Sequence, residues 1–477
     1  MFAKKLSLFI PTLLLASPML FSCTQLDPNT LYLRVLNSED YIAEGLIEKF
    51  EEKATQETGK KVKVIYETFD TMENMFNTLK TGKTKYDLVC ASDYMVQKLV
   101  NADLLEEIEH DKSGLENYDL NANYIRGRLE DIEWGPESNR HNLDKYSVCY
   151  MWGTLGILYN PSFPGFTNSV NTDMESWNAL WDSKYNRTIA IKDSMRDTYA
   201  IGLIHSYQDE LAKAESDVEA RQKIFDYGGE EDEKAQEHIN VIKKDLLSLR
   251  NNAFGFEVDS GKEDIVTGKI GIDTAWSGDA VRAINTAEEE RGIELRYSVP
   301  KEGSNLWFDC WTVLKGANKD LSYKFLNFIS NSENAIANMD EIGYTSSIGN
   351  EATYNYFKGL YGDEANDDNE TYNLNYFFGP GHELNVKPEY VHRQLAAQFP
   401  EGSETNKLMV MKDYGKNNDL ILKMWEEVKH ESLPVWAITL FVIEIAAIAV
   451  AVTVVITIKL KNKRRRENRK AKSIKTN

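Results

Sequence analysis

An α/β fold with a mainly parallel sheet is predicted by two features of the chain, its length and the order of its elements. At 477 residues it exceeds what one small core can hold, so two or more lobes are expected. From Leu31 onwards, short β-like and helix-like segments alternate, the pattern of a parallel sheet with helices on both faces. Periodicity alone leaves open whether these units form one lobe or two.

The first run is compact. "LYLRVLN" reads as a strand and "EGLIEKFEEKATQETG" as an amphipathic helix. "KVKVIYETF", "TMENMFNTLKTG", "YDLVCAS" and "DYMVQKLVNADLL" continue as strand, helix, strand and helix. A second α/β region is expected after "YMWGTLGILYNP". It holds "TIAIKDS", the helical "AQEHINVIKKDLLSLR" and "GKIGIDTAWSGDAVRAI". "LRYSVPKEG" and "LWFDCWTVL" return to strand character, and "LSYKFLNFISNSENAIANM" is helical. Ligands of such sheets sit beyond the carboxyl ends of the strands, which directs attention to Asn37–Tyr41 and Ser92–Tyr94.

The ends of the chain differ from its body. The net charge is −20, but the last nineteen residues carry ten Lys/Arg against one Glu, and Lys4 and Lys5 add two positives. The segment between therefore carries roughly −31, which argues against a nucleic-acid partner and suits a cationic one. Residues 1–23 show two lysines, an apolar stretch and a small residue before Cys23, a secretory signal pattern. "LFSC" is similar to a lipobox, with Cys23 as the lipidated residue; ordinary cleavage nearby or an uncleaved anchor also fits. Leu433–Ile458 is long enough to span a bilayer of about 30 Å as a helix. The basic tail 459–477 then places the C-terminus in the cytoplasm and the body outside a cell membrane. Cys90, Cys149 and Cys310 each lie in an apolar strand context. They read as small buried hydrophobes without a disulfide framework.

Three segments join a carboxylate to an aromatic ring. "LNSEDYIAEG" follows a strand, and Asp40 and Tyr41 there suit either a ligand or a helix cap near Ala43. "WSGDAVRAI" places Trp276 at a strand end and Asp279 in the first turn of a helix, where capping is the plainer role. In "SNLWFDCWTVL", Asp309 is mid-strand among Trp307, Phe308 and Trp311. A cap is not needed there, so burying it requires a cation from the protein or from a ligand. Carboxylates and ring faces together suit a methylene chain with ammonium ends.

The chain from about Leu31 to Lys429 resembles the periplasmic spermidine/putrescine-binding proteins of ABC transporters. The resemblance rests on collinear segments: "NSEDYIAEGLIEKFEEKATQETGKKV", "YDLVCASDYMVQKL", "YMWGTLGILYN", "SWNALWDSKY", "VPKEG" before "WFD", "FLNFI" and "EIGY". It implies a two-lobed periplasmic-binding-protein fold of type II with a hinged ligand cleft. Residues 31–149 and 307–345 would form lobe 1, and residues 154–300 and 350–430 lobe 2. Asp40, Tyr41, Ser92, Tyr94, Asp197 and Asp309 would stand at the family's contacts to the ligand and its amines. Trp276 and Trp307 would sandwich the methylene chain, Tyr344 would line the cleft, and Asp279 resembles the putrescine-preferring branch. The implied partners are putrescine or spermidine and the permease subunits; no cofactor is implied.

The sequence also departs from the family pattern. Ser38 replaces the first-strand Trp, Glu39 replaces a hydroxyl residue, and Ser194 stands where the spermidine-preferring branch has Asp, beside Asp193. A binding protein for another cationic solute, or a sensor, remains an alternative. A glycosidase would need an acid/base pair that the sequence does not single out. No phosphate-binding glycine loop with Lys-Ser/Thr occurs, so ATP hydrolysis is not expected of this chain, nor any other enzymatic step.

Overall fold

The computed structural model describes residues 27–430 except 112–113, 259 and 365–367. Cys23 with the N-terminal segment, the apolar span Leu433–Ile458 and the basic tail lie outside the described residues. Among those residues no helix is long and apolar enough to cross a membrane. That finding corrects the expected cell-membrane location with a cytoplasmic tail.

The first lobe opens with β1 (Leu31–Ser38), α1 (Leu46–Thr58), β2 (Val62–Phe69), α2 (Met72–Thr81), β3 (Leu88–Ser92) and α3 (Asp93–Asn101). Leu46, Phe50 and Ala54 recur every fourth residue on α1 and are its buried face. Thr71 caps α2 by accepting from Asn74 N at 3.2 Å. The chain enters the second lobe along β4 (Val148–Tyr159), whose twelve residues are all buried. The second lobe contains β5 (Ile189–Lys192), α4 (Met195–Ser206), α5 (Asp232–Asn252), β6 (Gly255–Glu257), α6 (Gly261–Val266), β7 (Ile272–Trp276), α7 (Ser277–Arg291) and β8 (Arg296–Ser298). The chain returns along β9 (Ser304–Val313), and α8 (Lys319–Ile329) and α9 (Ser332–Ile342) complete the first lobe. Helix α10 (Glu351–Tyr361), the short strand β10 (Leu408–Met409) and α11 (Asn418–Lys429) follow.

The strand order is β2–β1–β3–β9–β4–β7–β5–β6. Within each lobe the outer strands are parallel, as the alternation of elements predicts. The middle is antiparallel, because β9 pairs with β3 and β4, and β4 with β7. The sheet is therefore mixed where a mainly parallel one was expected. The reason is that β4 and β9 traverse both lobes in opposite directions, which periodicity does not encode.

Each lobe buries both faces of its sheet. Leu36, Val89, Met95, Trp152 and Phe308 form one core of the first lobe, and Leu33, Phe50, Leu88, Trp311 and Phe325 the other. In the second lobe Leu155, Ile157, Ile191 and Tyr199 face one way and Leu158, Ala275, Val281 and Ile284 the other. Segment 350–430 is divided between the lobes. Tyr354, Phe357, Phe377 and Phe399 join the first-lobe core, and Met409, Met424 and Trp425 the second. Its expected assignment to lobe 2 alone is corrected accordingly. The division follows from the rings: they fill the first-lobe face beside Trp152, stacked on Phe377 at 5.5 Å.

Candidate functional site

The two crossing strands place Asp309 at the border of the lobes. On β9 it stands opposite Ser92 of β3 and Met151 of β4, and the β9–β4 register shifts between Asp309 and Cys310. Cys310 pairs next with Cys149, so Tyr150 has no residue opposite it, the signature of a β-bulge. Such a bulge re-aims nearby side chains, and Tyr150 lies edge-on to Tyr41 with centroids 5.6 Å apart.

The Asp309 carboxylate is held by two hydroxyls. Tyr41 OH donates to Oδ2 at 2.7 Å and Ser92 Oγ donates to Oδ1 at 2.6 Å. Burial pushes the carboxyl above its ordinary pKa, although both hydrogen bonds pull it down. Tyr41 is itself fixed by its backbone: its carbonyl accepts from Asn37 Nδ2 and Tyr150 OH, each at 3.0 Å. Burial, then the Asp309 charge, carries the Tyr41 phenol well above its usual value, so it remains a donor. Tyr344 stands edge-on to Tyr41 at 5.6 Å and to Trp307 at 5.5 Å. The structure thus brings Tyr41, Ser92, Trp307, Asp309 and Tyr344 together.

Close backbone approach makes room for these rings. A Cβ on Gly278 would lie 2.2 Å from Tyr344 Cγ, and one on Gly153 would lie 2.5 Å from Trp307. Gly278→Ala is therefore expected to cost about 1–3 kcal/mol by overpacking. Thermal unfolding reads this directly, and a variant as stable as the parent would mean that Tyr344 yields freely.

The other expected residues are placed differently. Asp40 is exposed at φ 50° in the turn after β1, and α1 begins only at Leu46 behind Gly45, so Asp40 neither caps the helix nor joins Asp309. Tyr94 does not touch Asp309. Its ring lies 3.8 Å under the Arg196 guanidinium, which α4 extends from the other lobe. Arg196 also donates to the carbonyls of Met411 at 2.5 Å and Lys412 at 3.2 Å. Asp197 is buried and accepts from Trp276 Nε1 at 3.1 Å. Asp279 faces two lysines: Lys192 Nζ lies 3.9 Å from Oδ2 and Lys262 Nζ 3.8 Å from Oδ1. One ring face of Trp276 is likewise taken, with Lys192 Nζ 4.5 Å from its centroid.

Four residues of this region were not anticipated. Tyr150 lies within the quoted "YMWGTLGILYNP" and Arg196 two residues after "TIAIKDS", neither with any local mark. Lys192 follows the apolar "TIAI", and a charge ending a buried strand was its available signal. Asp93 is 3% exposed and accepts from Phe308 N at 2.9 Å and Tyr94 N at 2.5 Å. Burial pushes it up to about 7, opposed by the Arg196 charge. Cys90, Cys149 and Cys310 are buried and free of disulfides.

This arrangement, two α/β lobes joined by crossing strands with a carboxylate and rings at their border, is that of a solute-binding protein. The sequence profile of the family described as bacterial extracellular solute-binding protein matches residues 45–355, and the chain belongs to that family. It is 27% identical over 304 residues to the putrescine-binding periplasmic protein SpuD of Pseudomonas aeruginosa, covering 63% of this chain and 74% of that one. It is 29% identical over 302 residues to the putrescine-binding periplasmic protein PotF of Escherichia coli, covering 62% and 72%. Among solved structures it superposes on the spermidine/putrescine ABC transporter substrate-binding protein PotD of Streptococcus pneumoniae. That match has a TM-score of 0.55 and 25% identity, covering 84% of this chain and 100% of that one. These relatives are binding proteins rather than enzymes, and those of P. aeruginosa and E. coli are periplasmic.

Proposed function

We propose that this chain is the extracytoplasmic substrate-binding component of a polyamine ABC transporter. It captures putrescine or spermidine between its lobes and delivers it to the permease without altering it. The observation that carries this reading is the state of Asp309. Its carboxylate has two hydroxyl partners, and among the described residues no Lys or Arg nitrogen lies within ion-pairing distance. A carboxylate held this deep is stabilised by a cation that arrives with the ligand. Tyr41, Trp307 and Tyr344 offer ring faces and edges to the methylene chain and its ammonium, at roughly 0.5–2 kcal/mol per good contact. Micromolar binding requires about 8 kcal/mol in all, within reach of two desolvated ion pairs and such walls. The crossing strands β4 and β9 serve as the hinge about which the lobes close.

Titration calorimetry with the full chain tests the reading. Putrescine or spermidine is expected to release or absorb heat on a saturable, micromolar or tighter isotherm, and glutamate or a neutral sugar to give none. Saturable binding of glutamate or a sugar, with none of the amines, would overturn it.

A further inference from the structure

The second lobe carries a cation of its own where a ligand ammonium is expected. Lys192 ends β5 with its side chain 2% exposed. Its Nζ meets Glu257 Oε1 at 2.8 Å and donates to the Val258 carbonyl at 2.8 Å. It also lies 3.9 Å from Asp279 and 4.5 Å from the centre of the Trp276 ring. Carboxylates, a carbonyl and a ring face are the partners that a protein offers to a bound primary ammonium. Here the ammonium is covalently part of the chain.

The surrounding acids are balanced around it. Burial opposes the charge on Lys192, but Asp273, Asp279 and Glu257 together hold its pKa above the usual lysine value. Asp273 is buried, and burial carries its carboxyl well above the carboxylate range while the Lys192 charge opposes that rise. Glu257 accepts from the N–H of Gly261 at 2.7 Å. Asp279 faces Lys192 with one oxygen and Lys262 with the other. A further ammonium placed there would meet the two cations Lys192 and Lys262.

Asp309 and Asp197 are different. Asp309 is bound by two hydroxyls and Asp197 by the Trp276 indole N–H. Among the described residues neither forms an ion pair with lysine or arginine. One is on the first-lobe strand β9 and the other on the second-lobe helix α4.

We propose that Lys192 is a specificity-determining residue, a built-in ammonium that permanently occupies the seat formed by Trp276 and Asp279. The charged ends of the ligand are then read by Asp309 and Asp197 alone. This deepens the polyamine reading above and rests on it: the ligand class is the linear diamine. A triamine would bring a third charge to a pole that already holds two lysine ammoniums.

Calorimetry on full-length variants tests the assignment. In the parent, spermidine is expected to bind no more tightly than putrescine. Asp279→Asn is expected to change putrescine affinity by less than about threefold, and Asp197→Asn to weaken it about tenfold or more. Lys192→Met is expected to raise the spermidine-to-putrescine affinity ratio about tenfold, and adding Asp279→Asn to abolish that gain. If Lys192→Met fails to fold, Lys192→Met with Glu257→Gln removes one charge of each sign and serves the same purpose. An Asp279→Asn variant that loses about tenfold in putrescine affinity with Lys192 intact would overturn the inference while leaving the polyamine reading in place. Absence of binding by any amine would overturn both.

Discussion

Asp309→Asn is expected to weaken amine binding by roughly a hundredfold or more, the loss typical when one partner of a buried charge pair is removed. The exchange keeps the shape of the side chain, and Tyr41 OH and Ser92 Oγ can rotate to suit the amide. What disappears is the negative charge that the proposed function sets opposite a ligand ammonium. The stability of the free protein should move the other way. Because burial raises the Asp309 pKa in the folded state, its contribution is most favourable below the unfolded value of 3.8 and is lost as pH rises through the folded value. At neutral pH the ionised carboxylate therefore costs the unliganded fold some stability, and asparagine relieves that cost. Calorimetry and thermal unfolding of the same variant check both arms. A variant that folds as well as the parent and binds putrescine equally would remove Asp309 from the site. In the parent, amine affinity should also rise with pH through the Asp309 titration, since only the carboxylate pairs with an ammonium.

The second large effect concerns Asp93. Its folded pKa of about 7 lies about three units above the ordinary value of 3.8, with burial as the main cause. The folded state then holds a proton that the unfolded state releases. Its stabilising contribution is complete below about pH 4 and is lost as pH rises through about 7, roughly 4 kcal/mol in order of magnitude. Urea denaturation at pH 5 and pH 8 should show the parent weaker at pH 8. Asp93→Asn should flatten that difference, because its amide does not titrate. Equal pH dependence in parent and variant would show that Asp93 is ionised in the fold throughout. The Arg196 charge opposes the upward shift, so Arg196→Met should enlarge the loss of stability and extend it to higher pH, as the Asp93 pKa rises further. Arg196 comes from the second lobe and stacks on Tyr94 of the first, so this titration also reports on how the lobes meet.

Much of the first half of the site was legible because its chemistry is local. Asp309 stands mid-strand among rings, where a cap is not needed, and that oddity alone demanded a partner. Ser92 ends one strand and Tyr41 follows another, and the structure brings both onto Asp309. The surroundings of the second half were not legible, for an equally physical reason. Asp279 and Trp276 have the right residue types at the right helix start, but what fills the space beside them comes from β5 and α6. Nothing near Asp279 in sequence announces a lysine there.

Local pattern, then, determined the elements: apolar alternation, four-residue periodicity and the punctuation between them depend on neighbours along the chain. It also determined that a buried acid needs a cation. Tertiary structure decided the direction of the crossing strands, the division of residues 350–430 between two cores, and which lysines face Asp279. Those outcomes depend on which distant side chains share a low-dielectric space, where an ammonium at 4 Å outweighs any local preference.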